Sequence, residues 1–306
     1  MSFQGYSLYT ASLIHAGGTL SIDQLDGQDY NPGVNLQRYI PPGSVDPANN
    51  SMLMADPRMV FRTRDLANVL DAISATAGLV CSSGAVFRFQ QRNAEGTFKS
   101  GGSHITLTSA AGWAVLTGLS ASQGQDAEAT VQYLANGSGV IGEDPFVAVT
   151  NANFSGVDSP VHNTLFTLGP MKIGSTFIDG LQGMQVDFGL QIKRDFHNGE
   201  IYPRSSHTET RLPRITMNSL NPGVMSNITS ALLGNIGSSI VLFLQKRTTG
   251  DGAIVAHATA EHVAVTIAAG SWRAESIGAA GTGDANVSVG IDPTGTITVS
   301  AASAIS

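Results

Sequence analysis

Met184-Gln185-Val186-Asp187-Phe188-Gly189-Leu190-Gln191-Ile192-Lys193 is the stretch on which the reading of the fold turns. Met184, Val186, Phe188, Leu190 and Ile192 alternate with Gln185, Asp187, Gly189, Gln191 and Lys193. A period of two puts alternate side chains on opposite faces of an extended chain, so the stretch reads as one long strand with an apolar and a polar face. The same period recurs elsewhere. Val263, Val265 and Ile267 alternate with His262, Ala264 and Thr266. Phe87 and Phe89 share one face of another strand, which Asn93-Ala94-Glu95-Gly96 would turn. Val287, Val289 and Ile291 run into Asp292-Pro293-Thr294-Gly295, and Ile297 and Val299 then predict a closing hairpin. The fold class expected is mainly β.

The end of the opening stretch has a counterpart in the first half of the chain. Gly33-Val34-Asn35-Leu36-Gln37-Arg38 lines up with Gly189-Leu190-Gln191-Ile192-Lys193-Arg194. At about the same offset, near 157, five further segments match in order. Gly17 to Leu20 meets Gly174 to Phe177, and Pro57 to Met59 meets Pro213 to Ile215. Val86 to Arg92 meets Val241 to Arg247, His104 to Gly112 meets His262 to Gly270, and Asp126 to Val131 meets Asp284 to Val289. Each match is weak in a chain rich in small residues; their collinearity carries the argument. The period is far longer than a solenoid unit and has the size of a small domain. Two tandem homologous domains are therefore expected, 1–150 and 151–306, each with its own core, with a turn-rich break near Gly142 to Pro160.

One helix is legible. Leu66, Val69, Leu70 and Ile73 follow i, i+3, i+4, i+7 spacing, Thr63 or Asp65 could cap the start, and Gly78 suits the exit. The matching place in the second half, Ser226 to Leu233, predicts a shorter helix. Each half then reads as a β-sandwich or partial barrel with one flanking α-helix. Two stretches resist a core assignment: Asp26 to Asp56, which holds four prolines, and Asp195 to Arg211, which is rich in His, Glu and Arg. They fall at the same place in the repeat and read either as solvated loops or as contacts to neighbours.

Composition narrows the function classes. Charged residues make up 13% of the 306, the formal net charge is −7, and no basic patch marks a tight nucleic-acid binder. The one cysteine, Cys81, excludes an internal disulfide and reads as a buried, inert thiol. The N-terminal residues carry no signal-peptide pattern and no apolar run is long enough to span a bilayer, so no membrane anchor and assembly in a cytoplasm are expected. The Asn-x-Ser/Thr sites at Asn136, Asn153, Asn227 and Asn286 then read as accidents of composition.

The search for chemistry returns little, and no enzyme, metal or cofactor is expected. P-loop, nucleophile-elbow and zinc-protease motifs are missing, and Gly281-Thr282-Gly283 lacks the third glycine of a dinucleotide fingerprint. Asp23, Asp26 and Asp29 lack the spacing and closing Glu of a calcium loop. His257 and His262, five apart, would point to opposite faces of a strand unless a bend intervened. His104 and His262 occupy matching places and read as structural, and Trp113 and Trp272, one register apart across the repeat, read as core anchors.

Gly183 to Ile192, followed by Asn198 to Pro203 and Arg214 to Met217, resembles the tail tube proteins of long-tailed bacteriophages. Ser103 to Thr108 with Asp126 to Val131 fits the same likeness. The resemblance implies domains that assemble into rings, whose inward strands form a continuous barrel, and rings that stack into a tube for DNA. A duplicated chain would build a pseudo-hexameric ring from three subunits and sit in the virion tail with other tail proteins. Under this reading Gln185, Asp187 and Gln191 face the lumen, while Val186, Phe188 and Leu190 face the core. Tyr39, Asp46, Asn49, His197, Glu200, Tyr202 and Arg204 would contact neighbouring rings. The first copy departs from the pattern, because Gln28-Asp29-Tyr30-Asn31-Pro32 lacks clean alternation. The rival readings are another virion component, such as a tail terminator, baseplate ring or capsid decoration protein, and a tandem glycan-binding adhesin. An aromatic content of 7%, mostly patterned inward, weighs against the adhesin.

Overall fold

The computed structural model describes residues 5–42, 45–93, 98–99, 101–137, 143–153, 164–197, 199–221, 224, 234–248, 252–279 and 285–306. It is mainly β, with twenty-four strands and one helix among those residues. The first twelve strands are β1 (Tyr6–His15), β2 (Gly18–Ile22), β3 (Leu25–Asn31), β4 (Val34–Tyr39), β5 (Asn49–Ala55), β6 (Arg58–Thr63), β7 (Leu79–Cys81), β8 (Ala85–Gln91), β9 (His104–Ser109), β10 (Gly112–Ser122), β11 (Glu128–Ala135) and β12 (Phe146–Ala152). The remaining twelve are β13 (Leu165–Ile173), β14 (Thr176–Ile178), β15 (Leu181–Asp187), β16 (Leu190–Asp195), β17 (Ser205–Arg211), β18 (Arg214–Ser219), β19 (Gly234–Asn235), β20 (Ile240–Arg247), β21 (His262–Ile267), β22 (Gly270–Ala279), β23 (Ala285–Pro293) and β24 (Ile297–Ser303).

These strands form two five-stranded sheets, one ten-stranded sheet and two hairpins. The five-stranded sheets run β12-β9-β8-β1-β2 and β24-β21-β20-β13-β14. The large sheet contains β7-β10-β11-β6-β3 and β19-β22-β23-β18-β15, joined where β15 pairs with β10. Strand for strand, β13 to β24 follow the pairing order of β1 to β12. Registers follow too. Leu119 lies opposite Ala129 and Ile277 opposite Val287, each just beyond a bulge, at Thr117 and Glu275. Tyr30 lies opposite Met59 as Val186 lies opposite Ile215, so β3 matches β15 in register although its sequence does not alternate cleanly.

Apolar faces of the five-stranded sheets pack on the ten-stranded sheet, as Phe61 and Tyr133 on Phe87 show at 6.1 and 5.4 Å between ring centroids. The two halves do not have separate cores. Leu13, Phe87, Leu119, Val186, Phe166, Leu242 and Val289 belong to one contiguous cluster, because the β10–β15 joint continues the apolar face from one half into the other. Helix α1 (Leu66–Ala72) buries Leu66, Val69 and Leu70 as its spacing requires, with Ile73 buried at its end. Asp65 is the N-cap residue, but its carboxylate accepts from the Asn68 amide, not from the helix backbone. Gly78 does not end the helix. It sits beyond the Ser74 turn at φ +67°, where a Cβ would lie 2.6 Å from the Ala114 carbonyl and the Trp113 ring nitrogen. The expected second helix lies outside the described residues.

Three local readings are corrected. Met184 to Lys193 is not one strand: Gly189, at φ +59°, turns the chain out of the large sheet, and among the described residues β16 pairs only with β17. Its N–H donates to Asp187 Oδ1 at 2.8 Å, just as Gly33 N–H donates to Asn31 Oδ1 at 2.8 Å. The polar excursions are therefore not irregular loops; each holds a hairpin, β4–β5 or β16–β17. Finally, β23 and β24 are consecutive but not paired. The chain crosses between layers at Thr294-Gly295, and β24 adds to β21, with Ile297 opposite Ile267. A two-layer fold needs such crossings, and turn chemistry alone does not distinguish a crossing from a hairpin.

Candidate assembly surface

One face of the ten-stranded sheet is buried in the core and the other is polar across both halves. In register, Glu128, Ser120, Gln185, Thr216, Gly290 and Arg273 form one row over the polar face. Arg62, Thr130, Gly118, Asp187 and Arg214 form the next. Gln185 and Asp187 are exposed, while Val186 and Phe188 are buried. Gln191 is also exposed but belongs to the β16–β17 hairpin, so it does not continue the row. Leu190 and Ile192 pack on Trp113, Val115 and Leu134, at the end of the polar face.

The arginines of this face are matched by carboxylates. Arg62 lies 3.7 Å from Glu128, Arg214 lies 2.6 Å from Glu275, and Arg273 pairs with both Glu275, at 3.4 Å, and Asp292. Each of these guanidiniums faces a carboxylate, so the positive charges of the face are locally offset and do not form the bare basic patch that favours phosphates through counterion release. At its edge Arg64 gathers Asp26 at 3.0 Å, Glu128 at 3.4 Å and Asp126 at 3.5 Å.

The residues singled out as ring contacts divide between the two hairpins. Tyr39, Asp46 and Asn49 are exposed at the far end of β4–β5. His197, Glu200, Tyr202 and Arg204 lie in the β16–β17 connection, which folds back on the first half of the chain. There Gly137 N–H donates to the Pro203 carbonyl at 2.8 Å, Ala55 N–H donates to Ile201 at 2.7 Å, and the Tyr202 hydroxyl donates to Asp144. Burial and the Asp144 carboxylate push the Tyr202 phenol up to about 12. Glu200 pairs with Arg204 at 3.4 Å.

Arg194 fastens this hairpin; in the sequence it is marked only as the match of Arg38 in the repeat, with nothing to indicate burial. Its buried guanidinium lies 3.1 Å from Asp56 and donates to Ser206 at 2.8 Å, Asn136 at 3.2 Å and the Ala135 carbonyl. Burial lowers its pKa, and Asp56 opposes that shift.

The remaining candidates are structural in their geometry. His104 and His262 are both buried at a strand start, and each accepts a backbone N–H at Nδ1, from Gln91 at 3.2 Å and from Lys246 at 3.1 Å. Burial first, then Lys99, lowers the His104 pKa. His257 and His262 do converge, edge to face at 6.1 Å, because a turn precedes β21. Their ring nitrogens are engaged with Gln245 and the Ala256 carbonyl. No cluster of three or more His, Cys, Asp or Glu that could hold a metal exists among the described residues. Trp272 is in the core, whereas Trp113, on the opposite face, lies under the β16–β17 hairpin and donates to the Ala77 carbonyl at 3.0 Å. Cys81 is buried, which pushes its thiol up to about 12. No described helix is long and apolar enough to cross a membrane. No protein-family model matches the sequence, and no curated protein matches it.

Proposed function

We propose that this chain is a structural protein of a phage tail tube, whose copies close into rings that stack around passing DNA. One observation carries the reading: two sheets of identical strand order are already joined edge to edge inside the chain, while the corresponding outer edges, β3 and residues 276–279 of β22 beyond its short pairing with β19, have no further strand beside them among the described residues. A sheet whose two halves meet through unlike edges, and which still presents one of each edge at its outer ends, is built to be continued. A heterologous joint repeated with a fixed rotation closes into a ring, and closure removes the exposed edges that invite aggregation. Three chains would then make a ring of six similar units. The polar face, with its arginines paired to carboxylates, suits a lumen that lets DNA slide without gripping its phosphates. Chemistry at a catalytic centre plays no part in this reading, and the protein would reside in the virion after assembly in the host cytoplasm.

Negative-stain microscopy of the purified protein tests it. Hollow rings with sixfold appearance that stack into tubes are expected. Single rings that never stack would favour a tail terminator or baseplate component, binding only to capsids would favour a decoration protein, and dispersed monomers at high concentration would overturn the reading.

A further inference from the structure

We infer that successive copies join by antiparallel pairing of β3 of one chain with β22 of the next, in the register Asn31 with Ser276, Tyr30 with Ile277, Asp29 with Gly278 and Gln28 with Ala279. The inference deepens the ring-building reading and rests on it. It transposes the internal joint, residue by residue, to the free edges. Inside the chain Gly118 pairs with Asp187, Leu119 with Val186, Ser120 with Gln185 and Ala121 with Met184. The neighbouring strands fix which residues correspond, since Leu119 and Ile277 hold the same register in β10–β11 and β22–β23, as do Val186 and Tyr30 in β15–β18 and β3–β6.

Burial at matched positions shows what is missing from the single chain. Leu119 is 1% exposed and Val186 0%, because each covers the other's strand edge. Their counterparts Ile277 and Tyr30 are 63% and 42% exposed. A third position repeats the contrast. Phe166 is 1% exposed and its carbonyl accepts the Ala127 N–H at 2.8 Å, whereas Tyr6, in the same register against β8 as Phe166 against β20, is 37% exposed. Large apolar residues standing in solvent at positions whose twins are buried are the mark of an unfilled interface. The backbone N–H of Ala285 is the matching donor for Tyr6.

The hairpins extend the joint. β16–β17 lies over β10 and β11 of the first half, so β4–β5 is placed to lie over β22 and β23 of the next copy. Its Val34 and Leu36, exposed here, correspond to Leu190 and Ile192, and Arg38 corresponds to Arg194. On the receiving side Leu212, exposed here, holds the place of Asp56. The receiving positions that match Trp113, Val115 and Leu134 are Ser271, Arg273 and Asp292, so this contact is more polar than its internal twin. The strand joint also has one hydrogen bond fewer, because Phe188 N–H donates to Thr117 at 3.2 Å while its counterpart, Pro32, has no N–H.

Disulfide trapping tests the register. Phe188 to Thr117 and Gln123 to Gln182 are hydrogen-bonded positions, which makes Ser120 and Gln185 a close, non-hydrogen-bonded pair. The corresponding pair between copies is Asp29 and Gly278. A Cβ at Gly278 meets no atom nearer than 3.8 Å, and buried Cys81 does not compete. Mild oxidation of the full chain carrying Asp29→Cys with Gly278→Cys should give a non-reducing ladder that ends at one closed species. Ser120→Cys with Gln185→Cys should close within one chain and leave the size unchanged. Tyr30→Cys with Gly278→Cys, whose side chains lie on opposite faces, should give no ladder. Rings or tubes under the microscope without the Asp29–Gly278 ladder would overturn the register while leaving the ring reading standing. Failure of the unmodified protein to assemble would overturn both, and a ladder from the Tyr30 pair would replace the register with one shifted by a residue.

Discussion

Leu119→Ala and Ile277→Ala change matched residues in the two halves, and the structure sets opposite outcomes for them. Leu119 is buried within one chain between β11 and β15. Truncating a buried Leu costs about 2–5 kcal/mol, transfer and cavity together. At roughly 2–4 °C per kcal/mol for a domain of this size, the melting temperature should fall by roughly 4–20 °C. Ile277 is 63% exposed in the single chain, so its truncation leaves the isolated fold nearly unchanged. Burying that exposed share of a side chain worth about 1.5–3 kcal/mol contributes about 1–2 kcal/mol to each joint between copies. Ile277→Ala should then weaken each joint by roughly 5–30-fold, and the loss multiplies with the number of joints in a ring. Thermal unfolding of dilute protein measures the first quantity and sedimentation across a concentration series the second. The reasoning fails if Ile277→Ala lowers the melting temperature as far as Leu119→Ala does, or if it assembles at the wild-type concentration.

Gln185→Lys with Asp187→Lys adds unpaired cations to the polar face, so correctly assembled virions should eject DNA more slowly, with the delay shrinking as salt rises; unchanged ejection kinetics would remove that face from the lumen. Arg194→Met leaves Asp56 with only Arg58, 3.7 Å away, and strips the Ala135 carbonyl and Asn136 of a donor, so it should destabilise the chain by about 2–4 kcal/mol, read from denaturant midpoints. His104 has a folded-state pKa below the usual imidazole value near 6.5, so the unfolded chain binds the proton first. Its contribution is complete above about pH 6.5 and is lost as pH falls through the folded value, so His104→Gln should flatten the fall in stability on acidification below about pH 6.5. Cys81, with a thiol pushed up to about 12, should resist thiol reagents near pH 8 until the protein unfolds; prompt labelling of the native protein would contradict its burial.

Alternation marked several of the strands, β8, β15, β21 and β23 among them, because the two faces of a half-buried sheet impose a period of two on a sequence that fills them. Leu66, Val69, Leu70 and Ile73 likewise marked the helix, and collinear matches such as Gly33 to Arg38 with Gly189 to Arg194 marked segments that the structure places in equivalent strands and turns. These are local properties, written in neighbouring residues. Strand partners are not. That β24 leaves β23 for β21, that β16 quits the large sheet at Gly189, and that His257 meets His262 follow from where the chain crosses between layers. Arg194 shows the limit most plainly: an ordinary arginine in sequence becomes buried because Asp56, Asn136 and Ala135, distant in the chain, converge on it. The contrast between Leu119 and Ile277 was equally invisible, since both are apolar residues at matching places in alternating strands. Only the tertiary structure decided that one has a strand beside it and the other an open edge, because hydrogen-bond pairing between strands is set by the whole arrangement of sheets and not by the residues that flank each position.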